Sequence, residues 1–148
     1  MHLSFTGILQ VSLDDSEVPD VPVPEGMALI EALHITLLSS SIKPHRKAFK
    51  KAFKAVRDSL PPFPGVTFGE PYIADNGEKR SMVCDVIEQA RVHEWVTECV
   101  LRCADVDETI ADVEPESDRV YHVSVANTTG SRFDSVADPW NHRKGGAS

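Results

Sequence analysis

Two short strings in this 148-residue chain set a histidine, an aliphatic residue and a hydroxyl residue in the same order: His34-Ile35-Thr36 within ALHITLLSSS, and His122-Val123-Ser124 within YHVSVAN. Along a strand, residues i and i+2 share a face about 6.8 Å apart. Each string would therefore show an imidazole and a hydroxyl on one side. Leu33, Ile35 and Leu37, or Tyr121, Val123 and Val125, would occupy the other. Imidazole titrates near neutrality, so two of them can take a proton from one atom and give one to another in a single step. The hydroxyls of Thr36 and Ser124 would donate to charge developing on oxygen between them. This scheme calls for neither a metal nor an organic cofactor.

With six histidines, and roughly one residue in seven being Ser or Thr, about one such string is expected by chance. His2-Leu3-Ser4 at the N-terminus reads as that chance match. The two interior strings are flanked on both sides by strand-forming residues and fall in different halves of the expected topology.

The elements that must position them follow from periodicity. Residues 2–13 read as one strand, 14–25 as an acidic, proline-rich loop, and MALIEALHITLL as a turn or short helix feeding a strand centred on Ile35. From Pro44 to Leu60, Ala48, Phe49, Ala52, Phe53, Val56 and Leu60 recur at helical steps. GVTFGEPYIA and RSMVCDVI flank an Asn-Gly turn and read as a hairpin. A second helix follows, with Val92, Trp95, Val96, Cys99, Val100 and Cys103 on one side, and RVYHVSVAN is the last strand. The pattern is α+β, with antiparallel pairs and outer helices. It predicts a single domain over 1–130, with 131–148 a loosely attached tail.

The formal charge is −8, which argues against indiscriminate coating of nucleic acid. Its distribution is uneven: from Lys43 to Arg57 there are seven Lys or Arg and no acid, a run that reads as a solvated helix face. Three cysteines, no secretory signal pattern and no membrane-length apolar run predict a cytoplasmic protein with no membrane partner.

HITL and HVSV, separated by a helix, a hairpin and a second helix, resemble the motif pair of the two-histidine (2H) phosphoesterase superfamily. That group includes RNA 2′,3′-cyclic phosphodiesterases and the RNA ligase-like proteins. The compact length is similar to its small bacterial and phage branches, including the Swiss Army Knife type. The resemblance implies two lobes of antiparallel sheet related by a pseudo-two-fold, two outer helices and an active-site groove between the lobes. It implies that His34, Thr36, His122 and Ser124 are catalytic, in a hydrolase that opens a cyclic phosphate or a cyclic or 2′-5′-linked nucleotide without a metal. The second motif carries Ser where Thr is commoner, which keeps the hydroxyl.

Recognition is less legible. Ser40 shares the His34 face if the strand stays straight, and Asn127 and Thr128 lie where the second motif strand ends. Tyr72, Tyr121 and Trp95 could stack a base, although aromatics at such spacing are usually core. Cys99 and Cys103, four apart, read as buried small hydrophobes. An acidic chain of this size suits a small nucleotide or cyclic-phosphate substrate, or a short RNA end, better than a long polyanion. The competing reading is a module that binds a nucleotide or phosphate without turning it over. Nothing in the string speaks to oligomeric state.

Overall fold

The computed structural model describes residues 1–144. Seven strands and two helices make an α+β fold: β1 (His2–Phe5), β2 (Leu9–Ser12), β3 (Ala28–Leu29), β4 (His34–Leu38), α1 (Arg46–Val56), β5 (Tyr72–Asp75), β6 (Arg80–Asp85), α2 (Gln89–Val106) and β7 (His122–Asn127). The sheet is antiparallel throughout and runs β1-β2-β4-β7-β6-β5, with the short β3 also paired to β7. Each half is a hairpin beside a motif strand. The motif strands β4 and β7 meet in the middle, where Ile35 pairs with Val123.

That pairing decides which side of the sheet does what. Ile35, Leu37, Val123 and Val125 turn towards α1 and α2 and are buried with Phe49, Phe53, Val92, Val96 and Cys99. Alternation then sends His34, Thr36, His122 and Ser124 to the opposite face. The exposed Lys and Arg residues of α1 point away from the sheet, on the side remote from the histidines.

Three expectations change. Residues 2–13 form a hairpin rather than one strand, because Gly7 takes φ +95° and reverses the chain between Phe5 and Leu9. The first α-helix begins at Arg46, since Pro44 disfavours the helical conformation just before it and lies inside a 3-10 turn, Ser40–His45. Trp95 and Tyr121 lie in the core, as their spacing predicts: the indole N–H of Trp95 donates to the Pro61 carbonyl, and Tyr121 is buried.

The third change concerns the expected loose tail. Residues 131–144 lie against the groove side of β5 and β6, while 145–148 fall outside the described residues. The Val136 N–H donates to Ser81 Oγ at 2.8 Å, and its side chain is buried with Ala74 and Val83. Lys144 N–H donates to the Ile73 carbonyl at 2.8 Å, and the Trp140 ring meets Tyr72 edge-on at 6.1 Å. No helix among the described residues is long and apolar enough to cross a membrane.

A chain ending at residue 130 should therefore be less stable than the full chain by at least about 2 kcal/mol, the burial of one valine and its hydrogen bond. Urea unfolding followed by circular dichroism measures this, and coincident midpoints would show that the segment contributes nothing.

Candidate active site

A cavity of about 400 Å³ opens on the groove face where the halves meet, and His34, Thr36, His122 and Ser124 all line it. The pairing of Ile35 with Val123 places His34 across from Ser124 and Thr36 across from His122, so the two imidazoles stand diagonally over the seam. The rest of the lining includes Ser39, Ser40, Arg119, Arg132, Ser135 and Asp138. It is a polar, cation-bearing surface suited to an oxyanion.

Both imidazoles are anchored alike. His34 Nδ1 lies 3.3 Å from the Ala32 carbonyl oxygen, and His122 Nδ1 lies 3.0 Å from that of Val120. A carbonyl only accepts, so each Nδ1 carries the hydrogen and each neutral ring keeps its lone pair on Nε2. The same local device on two strands thus presents two equivalent basic nitrogens.

Their electrostatic surroundings differ. Burial is the largest influence on both and lowers both pKa values, with the carbonyl contacts opposing it. His34 additionally feels the Arg132 cation, which lowers it further. His122 feels Asp85, its direct partner on β6, which favours the charged ring, while Arg119 and His34 disfavour it. On β2 the residue paired with His34 is Ser12, an uncharged hydroxyl. Only His122 has a carboxylate as its outer strand neighbour. Asp85 is itself raised by burial, and the Tyr72 hydroxyl donates to it at 2.7 Å.

Arg119 is fixed rather than loose. Its Nε donates to Glu116 at 2.6 Å and its guanidinium donates to Ser39 Oγ at 2.9 Å, while the Ser40 N–H donates to Glu116 at 2.7 Å. Burial opposes the Glu116 charge, yet Arg119 and the Ser39 and Ser40 N–H groups hold its pKa below the usual carboxylate range. The network ties the turn after β4 to the segment entering β7 and so braces both motif strands.

Of the recognition candidates, Ser40 lines the cavity, reached through the 3-10 turn rather than a straight strand. Tyr72 does not; its hydroxyl is bound to Asp85 and its ring packs on Trp140. Asn127 is fully buried, its carbonyl accepting from the Thr129 and Gly130 N–H groups and its amide donating to Ser131 and Ser135. The turn it organises ends the alternation of β7, so Thr128 is exposed to solvent and is not part of the lining. Lys79 donates to the Phe133 carbonyl and Arg80 pairs with Asp75, so neither hairpin-tip cation faces the cavity. The three cysteines are buried and unpaired, and no metal-ligating cluster occurs among the described residues. Arg119, Arg132, Glu116 and Asp85 were not anticipated, because lone charges in loops and at strand ends carry no periodic signal.

No family model and no curated protein matches the chain. Among solved structures it is similar to the crystal structure of the MHV ns2 PDE domain, at 21% identity and a TM-score of 0.41, covering 68% of this chain and 62% of that one. The chain thus spans less than two thirds of that domain.

In a ¹⁵N-resolved titration, His34 and His122 should show the Nδ1–H tautomer when neutral and midpoints below the ordinary value of about 6.5. A midpoint above that value for both rings would contradict the burial described.

Proposed function

We propose that this chain is a metal-independent phosphodiesterase of the 2H type, opening a cyclic phosphate or a cyclic or 2′-5′-linked nucleotide by histidine acid-base catalysis. The observation that carries the reading is the convergence of His34, Thr36, His122 and Ser124, from two strands remote in sequence, on one polar cavity, with neither Nε2 atom hydrogen-bonded among the described residues. The cavity suits a small nucleotide or a short RNA end.

Burial lowers both pKa values, and the charged neighbours of each ring support one division of roles between them. His34, beside Arg132 and without a carboxylate, enters neutral, and its Nε2 takes the proton of an attacking water. The water oxygen bonds to phosphorus as the bond to one ribose oxygen breaks. His122, favoured as the cation by Asp85, gives its Nε2 proton to that leaving oxygen. Thr36 and Ser124 hydroxyls donate to the non-bridging oxygens, and the braced Arg119 offsets their charge. The product is a phosphomonoester, and exchange with solvent returns His34 to neutral and His122 to cation. Because the chain supplies acid, base and oxyanion donors, the scheme needs no metal.

Thin-layer chromatography of adenosine 2′,3′-cyclic phosphate incubated with the protein tests this. Cleavage should survive chelator, and His34→Ala or His122→Ala should each lose at least about a hundredfold in rate while keeping the wild-type circular dichroism spectrum. A fully active His34→Ala protein would sink the proposal; binding without product would favour the non-catalytic module.

The pH profile of kcat/KM should be bell-shaped, falling at low pH as His34 gains its proton and at high pH as His122 loses its own. Asp85→Asn removes the charge that favours His122 as a cation, so the alkaline limb should move to lower pH while the acid limb stays. Movement of the acid limb instead would reverse the two roles.

A further inference from the structure

The most exposed large apolar side chain among the described residues is Phe133, at 77%. Its turn is not loose. The Phe133 N–H donates to Ser131 Oγ, Lys79 Nζ donates to the Phe133 carbonyl at 3.1 Å, and the buried Asn127 amide donates to the Ser131 carbonyl at 2.6 Å. Gly130, at φ +79°, leads into the turn so close to β3 that an added Cβ would lie 2.9 Å from the Leu29 carbonyl oxygen. A lone exposed ring is ordinary on a protein surface; what sets this one apart is that a fastened turn holds it in a fixed place, open to contact.

Two further observations say for what. The guanidinium of Arg132 lies 4.8 Å from the Phe133 ring centroid, and Arg132 has no ion-pair partner among the described residues. The pair borders a cavity of about 250 Å³, lined also by Thr6, Ile8, Gln10 and His34. Ile8, His34 and Arg132 belong to the 400 Å³ cavity as well, so the two spaces adjoin at His34. The larger cavity has no Phe, Tyr or Trp in its lining, and the smaller one is lined by Phe133.

We propose that the Arg132-Phe133 turn is the nucleobase subsite of this groove. It rests on the reading that the phosphate sits between His34 and His122. The base stacks on the face of Phe133 that Arg132 leaves free, over the β1–β2 half, and Arg132 reaches from the ring towards the phosphate. Stacking on an aromatic tolerates any base, because every base has a π-face, so the subsite selects nucleotides as a class. A cyclic phosphate on glycerol or another alcohol without a base would leave it empty.

Titration calorimetry of the full chain with adenosine 2′-monophosphate and with glycerol 2-phosphate tests this without requiring turnover. The wild type should bind the nucleotide more tightly. Phe133→Ala should weaken nucleotide binding about fivefold or more and leave glycerol 2-phosphate within about twofold, and Phe133→Trp should restore the nucleotide. An equal effect on both ligands, no effect on either, or a wild type that does not prefer the nucleotide would overturn the subsite. Full cleavage by the histidine variants would instead count against the catalytic reading and leave this binding contrast legible.

Discussion

Ile35 and Val123 form the contact on which the rest of the arrangement depends. Backbone pairing joins the two halves of the sheet there, and both side chains are fully buried against the helices. Alternation then fixes the histidines and hydroxyls on the other face without any further instruction. A slip of one residue in this register would send His34 or His122 into the core and an aliphatic residue into the cavity. The driving force is apolar burial on the helix side, and the chemistry on the groove side is placed as its complement.

The electrostatic design works within that geometry. The two rings are held by the same kind of carbonyl contact, so their difference comes from neighbours on the outer strands: Asp85 beside His122, Ser12 beside His34. A buried imidazole resists protonation, and a carboxylate on the adjacent strand partly restores the cation on one side only. Symmetry supplies two equivalent nitrogens and a single unmatched acid distinguishes them. Tyr72, a candidate for stacking a base, instead favours the charged form of Asp85 by donating to it, against the burial that raises its pKa.

The parts legible in the sequence were those with a repeat. His34-Ile35-Thr36 and His122-Val123-Ser124 stood out through two-residue alternation, and α1 and α2 through three- and four-residue steps. What escaped notice had partners remote in the chain or too few residues to show a period. Gly7 is a lone turn signal inside an apolar, hydroxyl-rich run, so the first hairpin read as one strand. β3 has only two residues. Val136 and Trp140 are isolated in a polar stretch, and their partners Ala74, Val83 and Tyr72 lie far upstream, which made a packed segment look loose. Glu116 and Arg119 resembled solvated loop charges until the fold brought Ser39 and Ser40 to them. Asn127 was placed correctly at the end of the motif strand, but its amide is consumed in holding the following turn.

The seam between β4 and β7 also bears on the order in which the molecule assembles. The β1–β2 and β5–β6 hairpins close over a few residues, whereas joining Ile35 to Val123 requires a loop that includes both helices and the second hairpin. Closing so long a loop costs more chain entropy and is repaid only once the helices can cover the sheet. The hairpins can therefore exist before the cavity does. Neither hairpin carries a motif histidine, since these stand on β4 and β7, so the shared pocket exists only once the long loop has closed and the seam has formed.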